Sequence, residues 1–167
     1  MTPPFDARPI VVALAGPNGA GKTTFYEAHL QRSGLRFVNA DELARELGVD
    51  PYAAAEVAKR LSESLVKARE SFVFETVFSD PVGEKLRFLK LARAQGYTVV
   101  LCFIGLEGSD LSEERVAMLR NLAKAIRELP HVLVYDNSDL AHPFRKVAEF
   151  DEGKRVGAKG RLPAWLR

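Results

Sequence analysis

The chain has 167 residues, of which 47% are hydrophobic and 28% are charged, and its formal net charge is +2. We expect one domain over residues 1–167, with residues 1–9 flexible, because this length suits a single hydrophobic core. No apolar run approaches the roughly 20 residues that cross a bilayer, which argues against a membrane protein. The near-neutral charge argues against a nucleic-acid partner. The single cysteine, Cys102, cannot form an internal disulfide, which fits a cytoplasmic location.

The first predicted element is a buried strand, Ile10–Ala15, which leads into Gly-Pro-Asn-Gly-Ala-Gly-Lys-Thr at residues 16–23. This octet fits G-x-x-x-x-G-K-[ST], the P-loop, whose backbone N–H groups wrap a triphosphate. Lys22 would reach the β- and γ-phosphates, and the Thr23 hydroxyl would ligate Mg²⁺. A helix predicted over 23–31 follows, and its N-terminal dipole favours anions.

The predicted nucleotide-binding residues are Gly16, Pro17, Asn18, Gly19, Ala20, Gly21, Lys22, Thr23 and Thr24. Glycines permit positive φ and a close approach of backbone to phosphate. The alternative is a glycine-rich strand-to-helix turn that binds nothing, which would need neither Lys22 nor Thr23.

Strand-like and helix-like segments alternate along the rest of the chain. Further strands are predicted over 35–40, 71–77, 97–106 and 131–136, and helices from Pro51 onward, over 84–95 and over 111–129. Residues 146–156 are typical of a hairpin or a sixth, edge strand. This alternation predicts an α/β fold of the P-loop NTPase or kinase type. Its sheet would have five parallel strands, with helices on both faces and the C-terminal strand or hairpin at one edge.

Asp41 follows the second predicted strand, at the sheet edge where ligands of such folds bind. A carboxylate there could accept the proton of a substrate hydroxyl, which is the role of a general base in phosphoryl transfer. Asp41 would also serve as a helix N-cap. Arg45 lies one turn later, where it could meet Asp41, bind a substrate phosphate or form a surface ion pair.

Glu75 ends the apolar third strand, so it emerges where a parallel sheet opens onto its ligands. A sugar hydroxyl or a water on Mg²⁺ would be a suitable partner, and Thr76 could add a hydroxyl contact. The structural alternatives are a solvent-facing strand end for Glu75 and strand propensity for Thr76.

Two residues further along the chain could complete a nucleotide site. Arg115 follows the fourth strand, where a guanidinium could neutralise charge on the transferring phosphoryl group. A solvated helix arginine is the alternative. Asn137 follows the fifth strand and could contact adenine or simply form the turn.

Four segments taken together resemble the zeta toxin family. They read Ala-Gly-Pro-Asn-Gly-Ala-Gly-Lys-Thr at 15–23, Val-Asn-Ala-Asp-Glu-Leu-Ala-Arg at 38–45, Phe-Val-Phe-Glu-Thr at 72–76 and Val-Tyr-Asp-Asn-Ser at 134–138. The resemblance runs from about residue 10 to residue 138, and its second and third segments are not general P-loop features.

Members of the family are similar to small-molecule P-loop kinases. The better known ones phosphorylate UDP-N-acetylglucosamine with ATP and Mg²⁺, and some are toxins held in check by an antitoxin. The resemblance implies Asp41 as the base, Glu75 and Thr76 as substrate contacts, and Arg115 as a catalytic arginine. It also implies that Lys22 and Thr23 serve ATP and Mg²⁺.

The chain departs from the family pattern after residues 115–117, Arg-Val-Ala. Relatives usually carry a Gly-Gly-His segment and a further arginine-bearing stretch there, which form a lid. This chain passes directly from Met118 to Leu119, so either the lid is truncated or a mobile stretch is missing from the sequence. No second lid arginine can be named.

The leading hypothesis is an ATP-dependent kinase that phosphorylates a hydroxyl of a small molecule, such as a nucleotide sugar. One alternative is a nucleotide-binding module, or an antitoxin-bound partner, without kinase turnover. Another is a kinase of nucleic-acid ends, which the near-neutral charge disfavours.

Overall fold

The computed structural model describes residues 5–108, 112–158 and 160–167. Its strands are β1 Ile10–Ala15, β2 Arg36–Val38, β3 Phe72–Thr76, β4 Thr98–Gly105, β5 His131–Asp136, β6 Arg145–Asp151 and β7 Lys154–Gly157. Its α-helices are α1 Lys22–Phe25, α2 Ala40–Leu47, α3 Pro51–Lys67, α4 Glu84–Ala94 and α5 Glu113–Glu128.

The described strands form one sheet in the order β2-β3-β1-β4-β5-β6-β7. Strands β1 to β5 pair in parallel, whereas β6 and β7 add to the β5 edge as an antiparallel hairpin. The predicted P-loop type of α/β fold and the C-terminal hairpin are confirmed. The prediction of a five-stranded parallel sheet is corrected to a mixed sheet of seven strands. The hairpin adds two strands because residues 152 and 153 turn the chain directly back.

Both faces of the sheet are covered by helical segments. Alternate β1 residues Val11 and Ala13 face a core built with α3, α4 and α5. Ile10, Val12 and Leu14 face a second core with the helical segment that follows the P-loop. This alternation follows from the two-residue period of a strand, and β1 is fully buried because both faces are covered.

Two predicted helices differ in detail from the structure. The helix expected over 23–31 begins as α1, continues as a π-helical stretch, Tyr26–Leu30, and ends as a 3-10 turn, Gln31–Ser33. In the predicted helix after Pro51, an apolar residue recurs every three or four positions from Ala54 to Ala68, which predicts one buried stripe that includes Val57. In the structure Val57 is 37% exposed. Ala54 and Leu65 of that stripe are buried as expected.

Helix α5 runs without interruption through Met118 and Leu119, at the place where the family pattern has a lid. Met118 is buried there, and Leu119 packs against the same core. Residue 111, where this helix was expected to begin, lies outside the described residues. No helix in the described part of the chain is long and apolar enough to span a membrane.

The N-terminal stretch was predicted to be flexible over residues 1–9, and residues 1–4 lie outside the described part. Phe5 packs against the core that covers Ile10, and the Pro9 carbonyl accepts a hydrogen bond of 2.9 Å from Thr98 N. The flexibility of this stretch stays a prediction.

Candidate functional site

The P-loop connects the carboxyl end of β1, which lies between β3 and β4 in the sheet, to α1. Gly16 has φ +144°, and a Cβ there would lie 2.2 Å from the Ile104 carbonyl oxygen of β4. Gly21, at the start of α1, has φ +89° and leaves 3.0 Å between such a Cβ and Asn137 Nδ2. The loop therefore passes so close to its neighbours that a side chain at position 16 would displace β4.

Lys22 is buried beneath this loop, with its side chain 3% exposed. Its Nζ donates to Gly16 O at 2.7 Å and to Pro17 O at 3.1 Å. Burial lowers the pKa of Lys22, and the negative charges of Glu75, Asp41 and Glu114 oppose that shift. The ammonium group thus lies within the P-loop, with the Glu75 carboxylate 3.5 Å away. Its contact with phosphates stays a prediction.

Most of the remaining predicted nucleotide-binding residues are exposed to solvent. Asn18, Gly19, Thr23 and Thr24 are exposed, whereas Ala20 is buried and Pro17 is half-buried. Thr23 and Thr24 belong to the first turn of α1, whose N–H groups have no carbonyl one turn earlier in the helix to bind. Thr23 is thus an exposed residue on the turn that follows the loop.

Glu75 joins the P-loop to the end of β2. Its Oε1 lies 3.5 Å from Lys22 Nζ, and its Oε2 accepts a hydrogen bond of 3.2 Å from Asn39 Nδ2. The register of β1 and β3, which pairs Leu14 with Glu75, places the carboxylate beside the loop that follows β1. Direct contacts therefore join polar side chains from the ends of β1, β2 and β3 at one edge of the sheet.

Asp41 contacts Asn39 through its backbone, but the Asp41 side chain does not cap α2. The N-cap of α2 is Asn39, whose Oδ1 accepts from Asp41 N at 2.9 Å. The interpretation of Asp41 as an N-cap is therefore wrong, because the helix begins at Ala40 and Asp41 lies inside its first turn. Asp41 is exposed, and its negative charge opposes the lowering of the Lys22 pKa. Its role as a base stays a prediction.

Arg45 and Thr76 are the other two residues predicted to contact a substrate. Arg45 is exposed on α2, and no ion pair joins it to Asp41 in the part of the chain that the structure describes. Thr76 is half-buried, and its Oγ1 accepts a hydrogen bond of 3.0 Å from Phe78 N. Their substrate roles stay predictions.

Arg115 is half-buried at the start of α5, where its Nη2 donates to Leu106 O at 3.2 Å. It borders a small cavity of about 70 Å³ that also touches the P-loop. The other residues lining that cavity are Pro17, Val77, Ser112, Glu114 and Met118. Arg115 therefore lies beside the P-loop rather than in open solvent.

Asn137 contacts the P-loop directly. Its Nδ2 donates to Ala20 O at 2.9 Å, and its Oδ1 accepts from Phe144 N at 3.1 Å. Both ends of the amide are thus used to hold the loop against the connection between β5 and β6. The predicted contact with a nucleotide stays a prediction, and the observed contacts assign Asn137 a bracing function.

Sequence reasoning gave no function to two buried asparagines, Asn39 and Asn121. Asn39 combines the cap of α2 with the contact to Glu75, and an asparagine just before a helix is the feature that could have indicated the cap. Asn121 on α5 donates to Phe78 O and Asp80 O, each at 2.9 Å, and so holds the segment after β3. Nothing local in the sequence indicates that contact.

A larger groove of about 430 Å³ lies between α3 and α4, over Phe74 and Phe88. None of the predicted site residues lines it. The chemistry expected from the sequence thus belongs to the edge of the sheet and not to this groove.

The sequence model of the AAA domain family matches residues 11–134, which cover β1, the P-loop and the strands up to most of β5. The chain belongs to the AAA domain family. The match includes the candidate site residues from Gly16 to Arg115, whereas Asn137 and the C-terminal hairpin lie beyond it. No curated protein matches this AAA domain in sequence.

Solved structures share the fold of this AAA domain at low sequence identity. The PezAT chromosomal toxin–antitoxin system of the human pathogen Streptococcus pneumoniae matches with a TM-score of 0.61 and 17% identity, over 85% of this chain and 72% of that chain. AvrRxo1-ORF1:-ORF2 with ATP matches with a TM-score of 0.66 and 18% identity, over 90% of this chain. AvrRxo1-ORF1:AvrRxo1-ORF2 with sulphate ions gives a TM-score of 0.62, also at 18% identity and 90% coverage.

The chain spans 60% and 61% of the two matched AvrRxo1 chains. These similarities establish a shared fold. The expected resemblance to zeta toxins is thus confirmed at the level of the fold.

Proposed function

We propose that this protein is an ATP-dependent kinase that transfers the γ-phosphoryl group to a hydroxyl of a small molecule. The observation that carries the proposal is the continuous line of contacts from Lys22 through Glu75 and Asn39 to the helix turn that holds Asp41. This line of contacts supports a site in which the P-loop lysine and the carboxylates proposed to bind the acceptor act on two substrates held side by side. The AAA domain family match supports the nucleotide side, and a structure of the same fold was determined with ATP.

The residues of the P-loop fit a triphosphate. Lys22 presents its ammonium group beneath the loop, and the glycine positions have no side chains that would fill the cradle. Thr23 would hold Mg²⁺ together with phosphate oxygens, because the P-loop pattern places this hydroxyl at the metal and the residue is exposed on the first turn of α1. Bound Mg²⁺ would neutralise charge on the phosphates.

The acceptor side would bind and activate the hydroxyl. Asp41 would accept the proton of that hydroxyl. Asp41 is exposed on the first turn of α2, and its side chain is not used as the helix cap because Asn39 caps α2. Glu75, Thr76 and Arg45 would contact the acceptor, and Arg115 would stabilise negative charge on the transferring group. By the resemblance to zeta toxins, UDP-N-acetylglucosamine is the first acceptor to test, and an antitoxin is the expected protein partner.

The test is a screen of candidate acceptors with γ-labelled ATP, with products identified by mass spectrometry. UDP-N-acetylglucosamine, other nucleotide sugars, free sugars and oligonucleotide ends form the panel, and Lys22→Ala protein is the negative control. We expect label on a small-molecule hydroxyl. Label on oligonucleotide ends alone would indicate a nucleic-acid kinase. ATP binding without transfer to any acceptor would indicate a nucleotide-binding module instead.

A further inference from the structure

Trp165 is the only tryptophan of the chain, and it is buried at the carboxyl ends of β4 and β5. It belongs to a 3-10 turn, Ala164–Leu166, and its indole lies directly over Gly105, the last residue of β4. A Cβ at Gly105 would lie 2.1 Å from Cη2 of that indole. The absence of a side chain at position 105 is therefore what admits the ring.

The indole is also bound to the last residue of β5. Trp165 Nε1 donates to Asp136 Oδ1 at 3.1 Å, and Arg145 Nη2 donates to Asp136 Oδ2 at 3.2 Å. Ser138 Oγ donates to the same carboxylate at 2.5 Å. Burial acts to raise the pKa of Asp136, but these hydrogen bonds outweigh it and hold the pKa below its ordinary value. Asp136 thus remains an ionised acceptor at neutral pH.

The segment after β4 is held at both ends by this arrangement. Gly105 O accepts from Asn137 N at 3.0 Å, and Glu107 N donates to Ser138 Oγ at 2.7 Å. Between these two points lies Leu106, whose carbonyl accepts from Arg115 Nη2 at 3.2 Å. The position of the Leu106 carbonyl therefore sets the direction of the Arg115 guanidinium.

We propose that Trp165 is a positioning residue for phosphoryl transfer, which acts by holding the 105–107 segment that orients Arg115 beside the P-loop. The inference rests on the proposed kinase function. Trp165 touches neither the P-loop lysine nor the acceptor residues in the described contacts, so its effect would pass through the Leu106 carbonyl.

A double-mutant cycle tests this inference. Trp165→Phe keeps an aromatic ring over Gly105 and removes the donor to Asp136. We expect kcat to fall about 3- to 10-fold, the cost of one hydrogen bond, while the Kd for ATP stays within about twofold. In an Arg115→Ala background, Trp165→Phe should leave kcat unchanged, because the residue through which it acts is gone.

Two controls separate positioning from stability. Leu166→Ala alters the same C-terminal turn, where Leu166 packs against the same core as Trp165, but it leaves the bond to Asp136 in place, so kcat should be retained. The emission maximum of the single tryptophan reports whether the indole stays buried in the Arg115→Ala protein.

The outcomes distinguish the inference from the function on which it rests. An equal fall of kcat in the wild-type and Arg115→Ala backgrounds, or no fall in either, would overturn the positioning function in an active enzyme. A wild-type protein that transfers phosphate to no acceptor would overturn the proposed function, and the positioning inference with it.

Discussion

The P-loop side of the candidate site is held by many internal contacts, whereas the proposed acceptor side lies on a short helix, α2, that has no buried residue. Lys22 is almost fully buried and donates to two loop carbonyls, and the Asn137 amide braces the loop from the other side. Asp41 and Arg45, by contrast, are exposed on α2. A triphosphate would thus meet a preorganised site, while an acceptor would meet side chains that must be ordered on binding.

This difference has a consequence for specificity. A P-loop binds the phosphates common to all nucleoside triphosphates, and its geometry follows from backbone and glycine positions. The proposed acceptor site would depend on exposed side chains that a bound substrate would order. We therefore expect changes on the P-loop side to abolish function and changes on the acceptor side to alter rate or acceptor affinity.

The largest effect should come from Lys22→Ala. Transfer should become undetectable and ATP affinity should fall about 10- to 100-fold, because a charged donor to the phosphates is lost. Calorimetry with ATP and an acceptor assay give the two quantities. Lys90→Ala, which removes an exposed lysine of α4, is the matched control and should retain both. Unchanged ATP affinity in a folded Lys22→Ala protein would show that the loop does not bind nucleotide.

Asp41→Asn should have the next largest effect. Transfer should fall about 10²-fold or more with ATP affinity retained, because the substitution removes a general base and leaves the Asn39 cap intact. Single-turnover assays at saturating ATP measure this change. Glu42→Gln alters the neighbouring carboxylate of α2 and should keep wild-type turnover. If Asp41→Asn turns over as fast as the wild-type protein, Asp41 is not the base.

Glu75→Gln tests the contact between the two sides. The acceptor KM should rise about 10-fold through the loss of a charged hydrogen-bond partner. Burial already lowers the pKa of Lys22 and Glu75 opposes that shift, so removal of its charge should lower this pKa further. Because ATP binding is expected to need protonated Lys22, ATP affinity should be lost at a lower pH in Glu75→Gln than in the wild-type protein.

Calorimetric titrations of ATP from neutral to alkaline pH follow that loss. Glu70→Gln, at an exposed glutamate that pairs with Arg36, is the control. If ATP affinity is lost at the same alkaline pH in the wild-type and Glu75→Gln proteins, the Glu75 charge has no influence on the pKa of Lys22.

Arg45→Ala should have the smallest effect. The acceptor KM should rise about 3- to 10-fold with kcat and ATP affinity retained, because an exposed guanidinium contributes one solvent-accessible contact. Arg60→Ala on α3, where the arginine pairs with Glu56, provides the comparison. An unchanged KM for the identified acceptor would assign Arg45 to the solvated surface and leave the acceptor side without a cation on α2.

Much of the fold could be predicted from local patterns. The β1 strand and the P-loop are contiguous in sequence, and β5 has the predicted bounds because Pro130 and the polar residues after Asp136 delimit it. The number of strands was harder to predict from the sequence, because residues 146–156 are compatible with either one edge strand or a hairpin. Val57 was assigned to the buried stripe because periodicity alone does not reveal which stretch of a helix extends beyond its core.

The sequence predicted which residues belong to the candidate site, but it predicted only some of the contacts between them. Placing Asp41 and Glu75 at neighbouring strand ends follows from the parallel order, since the carboxyl ends of such strands share one edge. The cap by Asn39 was missed because both Asn39 and Asp41 are good cap residues, and only the backbone of residue 40 decides between them. The two hydrogen bonds of the Asn137 amide depend on Ala20 and Phe144, which no local rule connects to it.

The sequence by itself determined the P-loop, because its glycines, lysine and threonine act over eight adjacent residues and their spacing carries the geometry. It also determined the alternation of strands and helices, since the periods of side-chain burial are local properties. The tertiary structure alone decided that Glu75 faces Lys22, that Asn39 reaches Glu75 and that Trp165 lies on Gly105. The partners in each pair are tens of residues apart, so their meeting depends on strand order and on the packing of the C-terminal turn, which no local pattern contains.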